Sequence, residues 1–304
     1  MLLKSYSGDF EYAKRLIESF TRFNSDQITL YVVVPESDQD LFSSIIVENT
    51  ELISENAFAQ HLVDHEVHGI RPGYINQEVI KLAFWELGLA ANYFCVDSDA
   101  EFIREFHVSD FMHDSDTPYS VLVQDLELAV DPEYYQQYWV TREKEIARIA
   151  ELIGWESQVI NTCHGHTVFS AKVLESFVRE FLHPRGWDYS DALAESPYEF
   201  TWYNMWLQKS RVIDIYPREP WIKVFHTESQ HLEYLMRGIS VADIARGYIG
   251  VVVNSNYSRG SGVVSAGNSK PANLAQYLSY AEVGQVIKAK FADTVSRRFG
   301  QGSR

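Results

Sequence analysis

The chain has 304 residues, 46% of them hydrophobic and 22% charged, a balance found in globular proteins and not in disordered or fibrous ones. That length allows one large domain or two small ones, with a sizeable core. The formal net charge of −16 repels a phosphate backbone and so excludes a nucleic-acid partner. It also opposes a nucleotide diphosphate unless a metal or a local basic cluster neutralises the site. Cys95 and Cys163 form no CxxC pair and read as buried thiols of a reducing compartment. No stretch is long enough to span a membrane, and Met1-Leu2-Leu3-Lys4 lacks the apolar run of a signal peptide, so a cytoplasmic protein is expected.

Residues 2–5 predict a short buried strand. Phe10, Ala13, Leu16, Ile17 and Phe20 then fall at helical spacing, predicting a helix over 9–23 with Asp9 as N-cap. The nearly all-apolar run 28–34 predicts a strand covered on both faces. A helix over 75–87 and a strand over 93–96 complete a β-α-β alternation, which argues for a mostly parallel sheet flanked by helices. Further on, the pattern predicts strands at 119–123, 212–216, 221–225 and 248–253. Helices are expected at 132–153, 171–181, 191–209 and 272–295, with a Gly/Ser-rich loop over 254–270. There is no repeat and no long linker, so one compact domain is preferred.

The strongest motif follows the third of these strands: Tyr93-Phe94-Cys95-Val96-Asp97-Ser98-Asp99. Open α/β sheets bind ligands at the carboxyl ends of their strands. Two carboxylates two residues apart at that edge can approach one hard cation, and Mg²⁺ or Mn²⁺ would leave positions for phosphate oxygens. An Asx-turn that merely closes the strand gives the same spacing. On the preceding helix Gln77 and Lys81 share a face, where the lysine could meet a phosphate, an acidic cluster or only solvent.

Four segments in order carry a resemblance: Lys4-Ser5-Tyr6-Ser7-Gly8-Asp9-Phe10, Val32-Val33-Val34-Pro35-Glu36-Ser37-Asp38, Asn76-Gln77-Glu78-Val79-Ile80-Lys81-Leu82, and Cys95 through Asp99. Together they are similar to a family of bacterial proteins of unknown function grouped with the GT-A glycosyltransferases, over most of the chain up to about Tyr257. The resemblance implies an α/β, GT-A-like fold: a Rossmann-type, mostly parallel central sheet flanked by helices, with an acceptor-binding C-terminal half. Residues 1–270 would form that catalytic domain, 1–125 its nucleotide-binding half and 126–270 its acceptor half, followed by a helix and basic tail at 271–304.

It further implies that Ser5 and Tyr6 lie against the nucleotide, and that Pro35 and Glu36 read the base or ribose. Gln77 and Lys81 would face the donor. Asp97, Ser98 and Asp99 would meet ribose and metal, and His226 would complete the metal shell, although a histidine at a strand end also has an ordinary structural explanation. Ser196-Pro197-Tyr198-Glu199-Phe200-Thr201-Trp202-Tyr203 resembles a Ser-Glu-Tyr-x-x-Tyr stretch of the family, with Tyr-Glu-Phe in place of its order and Asn204 where small residues are usual. This makes Glu199 the acceptor-side carboxylate, a general base in an inverting enzyme. A carboxylate favoured by the helix dipole is the plain alternative. His164 and Gly165 would contact the transferred sugar; His164 and His166 read as a metal pair have no third ligand nearby in sequence.

The expected activity is metal-dependent transfer from a nucleotide-diphosphate sugar to a saccharide or lipid-linked acceptor, as in bacterial surface polysaccharide synthesis, with Mn²⁺ or Mg²⁺ as cofactor. Arg297, Arg298 and Arg304 give the tail a basic end that could touch anionic lipid at the inner membrane face. Two other classes compete: a non-catalytic nucleotide-sugar or carbohydrate-binding protein of the same fold, and a DxD phosphotransferase. The haloacid-dehalogenase pattern wants Thr or Val four residues after its first Asp, and Glu101 stands there. His61 and His65 would share a helix face at a spacing zinc proteins use, but the HExxH order is absent and a solvent-facing His-rich helix end is the simpler reading.

Overall fold

In a computed structural model, residues 1–123, 132–157, 165–226 and 228–253 are described. The central sheet joins β1 (Leu2–Lys4), β2 (Leu30–Val34), β3 (Thr50–Ser54), β4 (Asn92–Val96) and β7 (Val168–Ser170) in the order β3-β2-β1-β4-β7. The first four are parallel and β7 runs antiparallel to β4. A second sheet has the order β5-β10-β9, from β5 (Ala100–Phe102), β9 (Ile222–Phe225) and β10 (Gly250–Val253). The strands β6 (Tyr119–Val121) and β8 (Tyr216–Arg218) form a parallel pair.

Side-chain alternation along the central strands divides the core into two layers. Leu2, Val33, Tyr93 and Cys95 face one layer; Leu3, Val32, Val34, Phe94 and Val96 face the other. On the second side lie Ala13, Leu16, Ile17 and Phe20 of α1 (Phe10–Phe23), the short α2 (Gln39–Ser43) and α4 (Val108–Phe111), and part of the second sheet. The first side is covered by α3 (Pro72–Ala83), α5 (Pro132–Ile153), α6 (Ala171–Phe177), α7 (Tyr189–Glu195) and α8 (Glu199–Ser210). The short α9 (Glu228–Met236) and α10 (Val241–Ile244) precede β10.

The mostly parallel sheet flanked by helices agrees with the sequence reading, and several details differ. A 3-10 turn at Ser7–Asp9 precedes α1, and Asp9 does not cap that helix through its side chain. The expected helix over 191–209 is two helices. Ser196, which precedes Pro197, is extended at φ −154°, ψ 121°, as proline demands of the residue before it. The expected strand at 212–216 is displaced to Tyr216–Arg218. The helix expected over 171–181 passes into a π-helical turn at Val178–Leu182. Residues 61–68 are not helical, so His61 and His65 do not share a helix face. Cys95 is buried as expected. Cys163, His164, the loop 254–270, the helix 272–295 and the basic tail lie outside the described residues. No helix among the described residues is long and apolar enough to cross a membrane.

Phe20 is fully buried between α1 and the second sheet, with ring contacts to Phe102 and Phe106. Phe20→Ala is expected to cost about 3–5 kcal/mol in urea denaturation. Lys14→Ala, on the exposed face of α1, should stay within about 0.5 kcal/mol.

Candidate functional site

The chain steps from β1 to β2 and β3 on one side of the sheet and then returns to β4 on the other side of β1. Strand order therefore reverses between β1 and β4, and it is at such a reversal, outside the carboxyl ends of the strands, that open α/β sheets form their ligand-binding crevice. Ser5 ends β1 and Asp97 ends β4. The hydroxyl of Ser98 donates to that of Ser5 at 3.0 Å and closes the floor between the two strands. Because β7 is antiparallel, its leading residues Gly165, His166 and Thr167 come to this same edge, with Cys95 N bonded to Thr167 O at 3.0 Å.

Beneath Asp97 lies a buried charge cluster. Lys81 of α3, 4% exposed, donates from Nζ to Asp97 Oδ1 at 3.1 Å and to Glu199 Oε1 at 2.9 Å. Its ammonium also lies 3.3 Å from Glu78 Oε2. Burial by itself would strip the proton from Lys81; Asp97, Glu199 and Glu78 outweigh it and push the ammonium pKa well above lysine's usual value. Glu78 is fully buried and hydrogen-bonds the Glu199 carboxyl, which requires a proton between the two. Burial, and then the charge of Glu199, push the Glu78 carboxyl well above the usual carboxylate range. The side chain of Asp97 alone among these carboxylates reaches the surface, at 37% exposure against 4% for Glu78 and 2% for Glu199.

Around Asp97 the walls are specific. His166 Nε2 stands 3.7 Å from Asp97 Oδ2. A Cβ added at Gly165 would sit 3.5 Å from the Phe200 ring and 3.9 Å from Asp97 Oδ2, so the backbone there passes close to both. Arg142 of α5, also buried, lies over the Tyr198 ring at 3.0 Å and faces Phe200 at 5.1 Å. Asp99, half-buried, leads into β5, whose register sets Ala100 beside Val252 of β10. Strand β9 runs parallel to β10 with Val253 opposite Phe225, so His226 comes to the same end of the second sheet as Asp99. Burial, then the charges of Lys223, His166 and Arg142, lower the His226 pKa to about 4, which keeps its imidazole neutral at physiological pH.

The predicted residues thus divide. Ser5, Ser98, Asp97, Gly165, Lys81 and Glu199 come together at the crevice and under it. Tyr6 is 46% exposed, its ring above Gly8. Pro35 is half-buried, and the exposed Glu36 accepts from Gln39, Ser54 and Asn56, which ties the loops after β2 and β3. Gln77 is half-buried on α3. Among the described residues no three His, Cys, Asp or Glu side chains form a group able to hold a metal, so Asp97, Asp99 and His226 are not gathered into one shell. Sequence reading passed over Glu78 and Arg142 as site residues. The signal for Glu78 was present, three residues before Lys81 on the same helix. Arg142 carries none, since an arginine in an amphipathic helix reads as solvated.

Glu78 carries a pH signature. Its carboxyl is raised in the fold above the unfolded value of 4.5, so above that pH the folded chain binds more protons than the unfolded one, and stability falls as pH rises. Glu78→Gln removes that loss. Relative to wild type, the variant is expected to be more stable at about pH 8 than at about pH 5 in paired urea denaturations; a difference independent of pH would contradict the buried-acid assignment.

Mouse xyloside xylosyltransferase 1 in its apo form gives a TM-score of 0.46 at 9% identity, covering 84% of this chain and 97% of that one. The galactosyltransferase LgtC, in complex with donor and acceptor sugar analogs, gives 0.47 at 11% identity over 95% of each chain. The apo form of the glycosyltransferase GlyE of Streptococcus pneumoniae gives 0.47 at 10% identity, over 97% of this chain and 63% of that one. No curated protein matches the sequence. DUF6492, a family of unknown function, matches over residues 2–231, most of the chain, and the protein belongs to that family.

Proposed function

We propose that this protein transfers a sugar from a nucleotide-diphosphate donor to a saccharide or lipid-linked acceptor, with residues 1–125 holding the nucleotide and 126–270 the acceptor. The observation that carries this reading is Asp97, held outward at the strand-order reversal by a buried lysine that two further carboxylates clasp. A crevice of this kind suits a nucleotide. Ser5 and Tyr6 lie on the β1 side of it and Pro35 and Glu36 on the β2 side, suited to the nucleoside.

Asp97 and Asp99 are half-exposed and offer hard oxygen donors at the crevice mouth. They fit Mg²⁺ or Mn²⁺ of the kind held by one or two carboxylates and completed by a ligand's phosphates. Such an ion, when bound, would supply the positive charge that a departing diphosphate needs. The chain's own groups do the positioning. In the reaction the anomeric carbon–oxygen bond breaks, its electron pair leaves with the diphosphate, and the acceptor oxygen bonds that carbon and gives up its proton, through a state with oxocarbenium character. Gly165 lies beside Asp97 and Phe200, at the place proposed for the transferred sugar. Neutral His226 can accept or donate a hydrogen bond there without competing charge.

For Lys81 we take the acidic-cluster alternative over the donor contact, and for Glu199 a role other than general base. Both are buried, and each is bonded to the other, so neither reaches a donor phosphate or an acceptor hydroxyl. We assign both as positioning residues for Asp97; a general base must come within hydrogen-bond reach of the proton it takes.

The test is a thermal-shift screen of nucleotide sugars with and without Mn²⁺, followed by assay of nucleotide diphosphate release. At least one nucleotide sugar is expected to raise the melting temperature in a concentration-dependent way. Asp99→Asn should lower turnover by about a hundredfold or more while leaving the fold intact, and Asp97→Asn should lower it as far while also costing stability through the loss of a Lys81 partner. Binding without turnover would instead identify a carbohydrate-binding protein, and full activity in either variant, or in excess chelator, would end the metal-assisted reading.

A further inference from the structure

A second concavity lies apart from the crevice, one turn beyond Lys81 on the same stretch of chain. It has a volume of about 450 Å³, within the range of small-molecule sites, and Trp85, Trp187, Tyr189, Glu86, Val178 and Leu182 are among its walls. Its two sides are irregular turns. The 3-10 turn Phe84–Leu87, which closes on Gly88 at φ 67°, supplies Trp85 and Glu86. The π-helical turn Val178–Leu182 supplies Val178 and Leu182, and π-turns often mark functional positions in helices.

The polar groups of this cavity are already ordered by one another. Trp85 Nε1 donates to Tyr189 OH at 3.1 Å, and Tyr189 OH donates to Glu86 Oε1 at 2.6 Å. His61 Nε2 lies 2.8 Å from Glu86 Oε2. Although burial works the other way, the bonds from His61 and Tyr189 hold the Glu86 carboxyl below its usual range. Asp188 at the rim caps α7, its Oδ1 accepting from Ser190 N at 2.7 Å and Asp191 N at 3.1 Å. Both carboxylates are therefore oriented: Asp188 Oδ1 is filled by the amides of Ser190 and Asp191 and the Ser190 hydroxyl, and acceptor capacity remains on Glu86 and on Asp188 Oδ2.

We infer that this cavity is a saccharide-binding site, in which a neutral sugar ring lies against Trp85 and Trp187 and its hydroxyls bond Glu86 and the imidazoles of His61 and His183. Indole faces offer flat apolar area to the C–H face of a pyranose. Fixed carboxylate and imidazole groups offer acceptors and donors to its hydroxyl edge. Phosphates and other anions are repelled by Glu86 and Asp188. Hydroxyl donors can use the remaining acceptor capacity of Glu86 without adding charge, and an organic cation is the competitor that the titration below separates from a sugar. The chemistry this favours is that of an uncharged polyol. This site stands whether or not the crevice takes a nucleotide sugar, since its ligand needs no nucleotide.

The experiment titrates the full chain with cellobiose, lactose, maltotriose and diacetylchitobiose and follows intrinsic tryptophan fluorescence. Tetramethylammonium chloride serves as the cationic comparison, and no nucleotide is present. At least one sugar is expected to give a saturable change, with affinity weakened by about tenfold or more in Trp187→Ala and also in Glu86→Gln, which keeps the side-chain shape. The inference is overturned if none of the four sugars gives a saturable change, if binding survives both variants undiminished, or if tetramethylammonium saturates the site and the sugars do not.

Discussion

The fold depends on one buried ammonium. Lys81 joins α3 to the end of β4 through Asp97 and to the first turn of α8 through Glu199, so three elements from distant parts of the chain share one charge. Taking such a group out of water costs several kcal/mol, and only close carboxylates recover it. Removing a partner leaves a buried charge uncompensated, at a cost of about 3–5 kcal/mol, so the cluster persists as a unit or not at all. The second proton-bearing acid in it, Glu78, lets three carboxyls crowd one lysine without three full negative charges. What emerges at the surface is a single aspartate whose position is fixed from below.

How much of this was legible follows from which contacts are local. Strands β2 and β4 are buried on both faces and read as apolar runs, and the stripe Ala13, Leu16, Ile17, Phe20 reads as α1. Strands β5 and β7 have three residues each, too few to show a period, and β3 is an edge strand with only Thr50 buried. Ser196-Pro197 was a readable stop that the helical pattern on both sides of it overrode. The spacing Asp97-Ser98-Asp99 and the helical face of Lys81 were visible. The bond from Lys81 to Glu199 spans 118 residues, and nothing local marks it. For that reason the sequence left Lys81 open between a phosphate, an acidic cluster and solvent, and gave no sign that Glu199 would be its partner. His166, named beside His164, proves to be the one of the two that the described residues place next to Asp97.

The floor of the crevice obeys the same logic as the cluster below it. Lys4 is nearly buried at the end of β1, and its ammonium bonds Ser5 O at 2.9 Å and Glu55 Oε2 at 3.1 Å, past the end of β3. Asp38, beyond β2, accepts from Ser7 N at 2.6 Å. The loops after β1, β2 and β3 are thus tied to one another by charge-assisted bonds, the stronger class of hydrogen bond, and the β4 end joins β1 through the neutral Ser98–Ser5 bond. Loops so tied can present groups at fixed separations, which a ligand-binding edge requires and a mere chain reversal does not.

These pairings bear on how an acidic protein could accept a diphosphate. The overall charge of −16 opposes such a ligand, and Lys81 and Lys4 are both committed to carboxylates inside the fold. Any local positive field must come from elsewhere. His226 reports where: after burial, the groups that depress its pKa to about 4 are Lys223, His166 and Arg142. Arg142 lies over Tyr198 near Phe200, on the Gly165 side of Asp97, and Lys223 belongs to β9, whose end adjoins the turn of Asp99. Arg142, which also faces Glu145 Oε2 at 3.7 Å, and Lys223 thus lie on the side away from Ser5 and Glu36. In a site of low dielectric such nearby charges act far more strongly than the distant surface charge. Under the function proposed above, an anionic donor would lie with its phosphates toward Arg142 and Lys223 and its base toward β1 and β2.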